Sequence, residues 1–120
     1  MKTILIVDDE VLICKILKEY FELNGYNTFA AFTGQEALNS IKKEKPNLIL
    51  LDIGLPDISG IELLPMIKAM DPNIKIIIIS AYSEDEENIS RAKLQGVNDY
   101  VVKPFSLTSL QEIVFNKMSD

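Results

Sequence analysis

The chain has 120 residues, and its composition is that of one globular domain spanning residues 1–120. Hydrophobic residues make up 48% and charged residues 25%, which excludes disordered, collagen-like and disulfide-framework proteins. With 12 basic and 18 acidic residues, the net charge of −6 argues against direct nucleic-acid binding by this domain. The absence of histidine excludes His-based catalysis and His metal ligands, and the single cysteine, Cys14, excludes an internal disulfide.

The sequence contains no segment with the length of a membrane anchor or a secretion signal. The apolar run Thr3–Val7 is too short for the core of a signal peptide. Unbroken apolar stretches such as Ile76–Ile79 are too short to cross a bilayer. We therefore expect a cytoplasmic protein that does not associate with a membrane.

Short β-type apolar runs alternate with segments of helical periodicity along the whole chain. Strands are predicted where apolar and β-branched residues are contiguous, and helices where apolar residues recur every three or four positions. In chain order, the predicted elements are strand Thr3–Val7, helix 10–24, strand Tyr26–Ala30, helix Gly34–Lys43 with Thr33 as its N-cap, strand Leu48–Leu51, helix 60–70, strand Ile74–Ile79, helix 84–95, strand Asn98–Val102 and helix 106–117.

This strict alternation predicts an α/β fold. Its architecture is a single doubly wound, five-stranded parallel sheet with five helices on its two faces and right-handed crossovers. In such sheets, ligands bind beyond the carboxyl ends of the strands. The residues that follow each strand are therefore the first candidates for a functional site.

Charged or reactive side chains follow four of the five predicted strands. Asp8 and Asp9 follow the first strand, Asp52 the third, Ser80 the fourth and Lys103 the fifth. Taken one at a time, each has an ordinary structural explanation, such as capping a helix or exposing a charge to solvent. We interpret them together as one site, because the carboxyl ends of parallel strands meet at one edge of the sheet.

These residue types indicate phosphoryl chemistry on a carboxylate. Three carboxylates in one pocket repel each other, and a bound Mg²⁺, with its preference for hard oxygen ligands, relieves that repulsion. Lys103, the Ser80 hydroxyl and the backbone N–H groups of Gly54 and Ala81 would then bind the oxygens of a phosphoryl group. Carboxylates, a lysine and a hydroxyl without histidine suggest transfer of that group to an aspartate.

Four segments together resemble the receiver domain of two-component response regulators, the CheY-like family. They are Ile4–Glu10 (ILIVDDE), Leu51–Pro56 (LDIGLP) with Gly60, Ile79–Ala81 (ISA) and Tyr100–Phe105 (YVVKPF). Each segment alone is a weak signal, but the set in this order and spacing is specific, and it extends over most of the chain. The resemblance implies a flavodoxin-like sheet with the strand order 2-1-3-4-5.

The resemblance also implies how the acidic residues would act. Asp52 would be the phosphoacceptor. Asp8, Asp9, Asp52 and the backbone carbonyl of Gly54 would hold Mg²⁺, with Mn²⁺ as a possible substitute. Lys103 would bind the phosphoryl group and hold Asp52 in place.

For the residues on the fourth and fifth strands, the resemblance implies a conformational switch. Ser80 and Tyr100 would be the switch pair, and the Lys103–Pro104 peptide bond would be cis. Phosphorylation would then reshape the 84–117 surface, which is formed by the fourth helix, fifth strand and fifth helix. That surface would contact a downstream output domain or protein, or form a phosphorylation-dependent dimer.

The expected phosphoryl donor is a sensor histidine kinase or a histidine phosphotransfer protein. Val11 and Phe105 flank the acidic pocket in the sequence pattern, and exposed apolar residues beside a reactive site suggest a surface for the helical bundle that carries the donor histidine. The chain would catalyse its own phosphorylation and dephosphorylation, and we do not expect an enzyme that acts on other substrates.

Two other function classes fit the residues less well. A small phosphatase with an aspartate nucleophile usually has a second acid just after the nucleophile and a cap, but Ile53 and Gly54 follow Asp52, and 120 residues leave no room for a cap. A flavin-binding electron carrier of similar topology would need a phosphate-binding loop after the first strand. The acidic segment Asp8–Glu10 would repel that phosphate.

Overall fold

The computed structural model describes residues 2–81 and 86–119, and for residues 86–89 the backbone alone. In chain order, the elements are β1 (Thr3–Val7), α1 (Val11–Leu23), β2 (Asn27–Ala31), α2 (Gly34–Glu44), β3 (Leu48–Asp52), α3 (Gly60–Met70), β4 (Lys75–Ser80), α4 (Glu86–Leu94), β5 (Asp99–Val102) and α5 (Leu107–Met118). The predicted ends differ from these by at most one residue, except that residues 84 and 85 of the predicted fourth helix lie outside the described residues.

The five strands form one parallel sheet in the order β2-β1-β3-β4-β5. Its register places Asp52 opposite Ile79, and Ser80 opposite Val102. The carboxyl ends of β1, β3, β4 and β5 therefore lie along one edge of the sheet, as the alternation of strands and helices predicts.

Two apolar layers stabilise the sheet, one on each face. The central strands β1, β3 and β4 are almost wholly apolar, and their successive side chains alternate between the layers. Leu5, Ile49 and Ile76 pack with α2, α3 and α4, whereas Ile4 and Ile77 pack with α1 and α5. Since each fully buried Leu or Ile contributes about 1.5–3 kcal/mol, these strands form a rigid base for the loops that follow them.

Hydroxyl side chains begin three of the helices. Thr33 Oγ1 accepts a hydrogen bond from the backbone N–H of Glu36 at 3.1 Å, so Thr33 is the N-cap of α2, as predicted. Ser59 and Ser106 cap α3 and α5 in the same way. Helix α3 continues through Pro65, which lies on its exposed side. Within the described part of the chain, every helix is too short or too polar to span a membrane.

Candidate functional site

The structure brings the predicted acidic residues together at the carboxyl edge of the sheet. Asp8 and Asp9 follow β1, and Asp52 ends β3, the neighbouring strand. One carboxylate oxygen from each of the three residues lies within 4.8 Å of the others. Asp8 and Asp52 are buried and Asp9 is exposed, so the cluster is fixed on its inner side and open to solvent on its outer side.

Lys103, which follows β5, reaches into this cluster. Its Nζ lies 2.8 Å from Asp8 Oδ2, 3.4 Å from Asp52 Oδ2 and 3.8 Å from Glu10 Oε1. Burial by itself lowers the pKa of Lys103, but the hydrogen bond to Asp8 and the negative charges of Asp52 and Glu10 outweigh it, so the pKa is raised overall. Lys103 is therefore a permanent cation that two buried carboxylates share.

Asp52 is held in place by two hydrogen bonds. Its Oδ1 accepts a hydrogen bond from the backbone N–H of Gly54 at 3.1 Å, and its Oδ2 faces Lys103. Burial is the main cause that raises the pKa of Asp52, and the nearby charge of Asp8 raises it further; the Gly54 and Lys103 hydrogen bonds lower it without cancelling the rise. The site thus contains more negative charge than its single lysine compensates.

The backbone around Asp8 explains why this carboxylate stays in the pocket. Asp8 Oδ1 accepts a hydrogen bond from the backbone N–H of Glu10 at 2.9 Å, at the start of α1. Its own N–H donates to the carbonyl of Ala31, and its carbonyl accepts from the thiol of Cys14 at 3.2 Å. Burial raises the pKa of Cys14 to about 12, so the thiol stays protonated and serves as a structural donor.

The acidic cluster has the donor set that a divalent cation requires. Asp8, Asp9 and Asp52 each offer one carboxylate oxygen, and Asp9 lies on the exposed side. Mg²⁺ prefers such hard oxygen ligands, takes few of them from the protein and keeps several waters. The residues present therefore fit Mg²⁺, and the same oxygens suit Mn²⁺.

The proposed switch residues lie on neighbouring strands and on the same face of the sheet. Alternation along β4 and β5 places Ser80 and Tyr100 on the side covered by α3 and α4. Ser80 is fully buried, and its carbonyl accepts a hydrogen bond from the backbone N–H of Lys103 at 2.7 Å. Tyr100 is half-buried, and Ala81 is exposed next to Ser80. The peptide bond between Lys103 and Pro104 is cis, which is the geometry that the resemblance implies.

One contact near the site did not follow from the sequence pattern. The carboxylate of Asp57, in the loop after β3, accepts hydrogen bonds from the backbone N–H groups of Gly34 at 2.7 Å and Gln35 at 3.0 Å. These two donors hold the pKa of Asp57 below its usual value. The contact ties the loop that follows Asp52 to the first turn of α2.

Comparison with known proteins identifies the family to which this architecture belongs. The family model of the response regulator receiver domain matches residues 4–115. The chain belongs to this family. It is a receiver domain of two-component signalling, with the flavodoxin-like fold and the strand order that the resemblance implies.

Two curated relatives show how receiver domains occur in longer and shorter proteins. The chain is 41% identical to sporulation initiation phosphotransferase F of Bacillus subtilis over 92% of its own length and 89% of that protein. It is 38% identical to the transcriptional regulatory protein ZraR of Salmonella typhimurium over 91% of its own length and 24% of that protein. The chain therefore spans nearly all of one relative and about a quarter of the other.

Solved structures agree with this family assignment. A CheY-like receiver domain protein from Methanospirillum hungatei superposes with a TM-score of 0.95 at 36% identity, covering 99% of this chain and 94% of that one. The response regulator TrrA of Thermotoga maritima, solved in complex with Mg(2+)-BeF, superposes with a TM-score of 0.83 at 38% identity, covering 98% of this chain and 99% of that one.

Proposed function

We propose that the receiver domain is a Mg²⁺-dependent switch in which Asp52 accepts a phosphoryl group from the histidine of a kinase or phosphotransfer protein. The observation that carries this proposal is the convergence of three carboxylates and one lysine at the carboxyl edge of the sheet. Family membership supports it, because receiver domains take part in two-component signalling. The chain would act in the cytoplasm.

The residues around Asp52 define the transfer step. An oxygen of the Asp52 carboxylate attacks the phosphorus, the new P–O bond forms as the P–N bond of the phosphohistidine breaks, and the electron pair of that bond leaves with the imidazole. Lys103, whose Nζ lies 3.4 Å from Asp52 Oδ2, would move from the carboxylates to a phosphoryl oxygen. When bound to Asp8, Asp9, Asp52 and the Gly54 carbonyl, Mg²⁺ would neutralise the carboxylates and the incoming phosphoryl oxygens.

The chain would catalyse this reaction on itself and act on no other substrate. Positioning and charge compensation are the principal contributions that a protein makes to phosphoryl transfer. Both come from residues already in place, since Gly54 N–H orients the Asp52 carboxylate and Lys103 supplies a cation. Hydrolysis of the acyl phosphate by water in the same pocket would return the switch to its initial state.

The phosphoryl group would act on the 84–117 surface through Ser80 and Tyr100. Phosphorylation adds a charge of about −1.5 to −2 and three acceptor oxygens. The Ser80 hydroxyl would turn to donate to one oxygen, with the backbone N–H groups of Ala81 and Gly54 binding others, and the Tyr100 ring would follow into the vacated space. The reshaped surface would contact an output domain or protein, or a second copy of the domain.

The donor protein would dock at a groove beside the acidic cluster. A cavity of about 550 Å³ lies between α1 and the segment that follows β5, lined by Ile13, Ile16, Phe105 and Leu107 and reaching Lys103. Ile16, in the lining of this groove, is 45% exposed, whereas Val11, which the sequence pattern suggested, lines a separate cavity beside β2. An apolar groove that reaches Lys103, whose Nζ lies 3.4 Å from the acceptor carboxylate, suits a helix that carries the donor histidine.

Acetyl phosphate tests the acceptor chemistry without a partner protein. Incubation with acetyl phosphate and Mg²⁺ should add one phosphoryl group, detected by intact mass, and hydroxylamine should remove it because it cleaves an acyl phosphate. Asp52→Asn should abolish the addition, whereas Asp71→Asn, at the opposite edge of the sheet, should not. EDTA should prevent the reaction, and equal labelling of wild type and Asp52→Asn would overturn the proposal.

Docking can be tested separately from chemistry. Ile16→Glu places a charge in the lining of the groove, and it should slow transfer from the cognate phosphohistidine protein and leave labelling by acetyl phosphate unchanged. Glu19→Gln, an exposed change further along α1, is the control and should affect neither rate. A rate of transfer to Ile16→Glu equal to that of wild type would contradict the docking assignment.

A further inference from the structure

The loop between β3 and α3, residues 53–59, carries two groups that the proposed chemistry uses. The backbone N–H of Gly54 donates a hydrogen bond to Asp52 Oδ1 at 3.1 Å, and the backbone carbonyl of Gly54 is a proposed ligand of Mg²⁺. Gly54 is exposed and has no side chain that packs against the sheet. Its position therefore depends on the contacts that fix the rest of the loop.

Backbone contacts fix the two ends of this loop. At one end, Asp52 is the last residue of β3. At the other end, the N–H of Gly60, the first residue of α3, donates a hydrogen bond to the carbonyl of Ile53 at 3.1 Å. Between these ends, Leu55 and Ile58 are half-buried against the apolar layer beneath α2 and α3. Apolar contacts are non-directional, so they do not hold the middle of the loop in one position.

Asp57 ties the middle of the loop to a different element. Its Oδ1 accepts a hydrogen bond from the backbone N–H of Gly34 at 2.7 Å, and its Oδ2 accepts one from the backbone N–H of Gln35 at 3.0 Å. In the described part of the chain, Asp57 is the residue of this loop whose side chain hydrogen-bonds to an element other than α3. Hydrogen bonds to an ionised carboxylate are short and strong, and two of them fix its orientation as well as its distance.

Helix α2 is a rigid anchor for this contact. Its inner face is buried in the apolar layer, and β2, which precedes it, pairs with β1. The N–H of Asp8, after β1, donates to the carbonyl of Ala31, the last residue of β2. The start of α2 lies directly against the loop, since a Cβ at Gly34 would be 3.1 Å from Ile58 Cβ. Asp57 thus connects the Gly54 segment to a part of the fold that also holds Asp8.

Capping of α2 does not by itself account for Asp57. The helix already has an N-cap, because Thr33 Oγ1 accepts a hydrogen bond from the N–H of Glu36, and the charge of Glu36 in the first turn is favourable to the helix dipole. Gln35 is exposed, and water satisfies the N–H groups of an exposed helix start. An acid that lies 23 residues away in sequence adds a fixed link between two elements.

We propose that Asp57 is a positioning residue for the Mg²⁺ site, because its two hydrogen bonds to α2 hold Gly54 against Asp52. This inference rests on the proposed function of the acidic cluster and adds to it a residue that touches neither the metal nor the phosphoryl group. Loss of a partner that orients a metal ligand typically lowers metal affinity by about 10–100-fold. Asp57 acts on the backbone of one ligand among four, so we expect a loss of about tenfold.

Mg²⁺ binding tests the proposal on the full chain without a phosphoryl donor. Titration with Mg²⁺, followed by amide NMR signals, should give a dissociation constant about tenfold higher for Asp57→Ala than for wild type. Asp57→Asn keeps one acceptor oxygen and should give an intermediate value. Glu36→Gln removes the same charge from the first turn of α2 and leaves the loop contact in place, so it should bind like wild type. Equal weakening in Asp57→Asn and Glu36→Gln would show an effect of charge alone and would overturn the proposal.

Two further readouts separate positioning from general stability. In EDTA, solvent exchange of the Gly54 amide should be faster in Asp57→Ala than in wild type, since the hydrogen bond to Asp52 opens more often. With acetyl phosphate, the Mg²⁺ concentration for half-maximal labelling should rise about tenfold, while the rate at saturating Mg²⁺ stays near that of wild type. Asn47→Ala, at the amino edge of the sheet where the strands begin, is the stability control and should change neither quantity.

The possible failures can be told apart. An unchanged Mg²⁺ dissociation constant in Asp57→Ala, or an equal rise in Asn47→Ala, would overturn the role of Asp57 and leave the proposed function of wild type intact. If wild type itself bound no Mg²⁺, the proposed Mg²⁺-dependent function would fail. The exchange of the Gly54 amide in EDTA would then decide by itself whether Asp57 positions this loop.

Discussion

At the amino edge of the sheet, single polar side chains accept hydrogen bonds from backbone N–H groups at the starts of strands. At the carboxyl edge, several charged side chains contact one another. Asn47 Oδ1 accepts from the N–H of Thr3, and Asn98 Oδ1 accepts from the N–H of Ile76, each at 2.8 Å. Each of these contacts joins one side chain to one backbone group that would otherwise lack a strand partner. Such contacts contribute to stability and leave the side-chain oxygens engaged.

The carboxyl edge is organised in the opposite way. Two buried carboxylates, Asp8 and Asp52, share the single ammonium group of Lys103, and Asp9 adds a third carboxylate. Holding several carboxylates around one ammonium group lowers the stability of the folded chain. Such an excess of like charge is typical of sites that bind a ligand. The comparison teaches that substitutions of the acidic side chains at the carboxyl edge should change chemistry more than stability, and substitutions of the asparagines at the amino edge the reverse.

After loss of the acceptor Asp52 itself, the largest effect should come from Asp9, the exposed member of the acidic cluster. Asp9→Asn removes a ligand of the proposed Mg²⁺, so the rate of labelling by acetyl phosphate should fall by at least about 100-fold at low Mg²⁺ concentration. Because Asp9 is exposed, the free energy of unfolding should change by no more than about 0.5 kcal/mol. Glu112→Gln, an exposed change on α5, is the control. An unaltered labelling rate would remove Asp9 from the metal site.

The next effect concerns the close packing behind Asp52. A Cβ at Gly60 would lie 2.6 Å from Ile53 Cα and 2.7 Å from the carbonyl oxygen of Asp52, both backbone atoms that cannot rotate away. Gly60→Ala should therefore lower the free energy of unfolding by about 1–3 kcal/mol. At Gly54 the nearest atom to a Cβ is Asp52 Oδ1 at 3.8 Å, so Gly54→Ala should be much milder. Urea unfolding of both variants measures the difference, and equal stabilities would contradict this packing.

A smaller change at the amino edge should affect stability alone. Asn47→Ala removes the acceptor for the Thr3 N–H, and it should lower the free energy of unfolding by about 0.5–1.5 kcal/mol. Labelling of Asp52 by acetyl phosphate should proceed at the wild-type rate. Asn116→Ala, at an exposed position of α5, controls for the loss of an amide. A slower labelling rate in Asn47→Ala would contradict the claim that this amino-edge side chain contributes to stability and not to the chemistry at Asp52.

The smallest effect is a pH dependence at Asp57. Its folded-state pKa lies below the ordinary value of 3.8, because the N–H groups of Gly34 and Gln35 stabilise the carboxylate. A lowered folded pKa means that the stabilisation is fully present above pH 3.8 and is lost as the pH falls through the folded pKa. Asp57→Asn should therefore be less stable than wild type near neutral pH. Chemical unfolding from pH 6 to pH 3 should show the two proteins converging on acidification, and a constant gap would contradict this assignment.

Much of the fold and the polar edge followed from the sequence, because both depend on local pattern. Alternating periodicity predicted all ten elements, and parallel strands require that Asp8, Asp52 and Lys103 lie at one edge. The predicted end of a strand differs from the observed end where the last residue of the strand is polar. The apolar pattern ends at Leu51, but β3 also includes Asp52. The strand order came from the family resemblance, since alternation alone fits several orders.

Other features depended on contacts between distant segments. The thiol of Cys14 supports the backbone of Asp8, and Asp57 reaches the first turn of α2 across 23 residues of sequence. The sequence pattern places Cys14 on a helix and Asp57 in a loop, but it does not indicate which backbone groups these side chains contact.

The most direct test of the central claim is to locate the phosphoryl group on the chain. After reaction with acetyl phosphate and Mg²⁺, borohydride reduces an aspartyl phosphate to homoserine, which tandem mass spectrometry assigns to one position. The account predicts homoserine at position 52, with Asp8 and Asp9 unmodified. Homoserine at position 8 or 9, or none in a protein that has gained a phosphoryl group by intact mass, would contradict it.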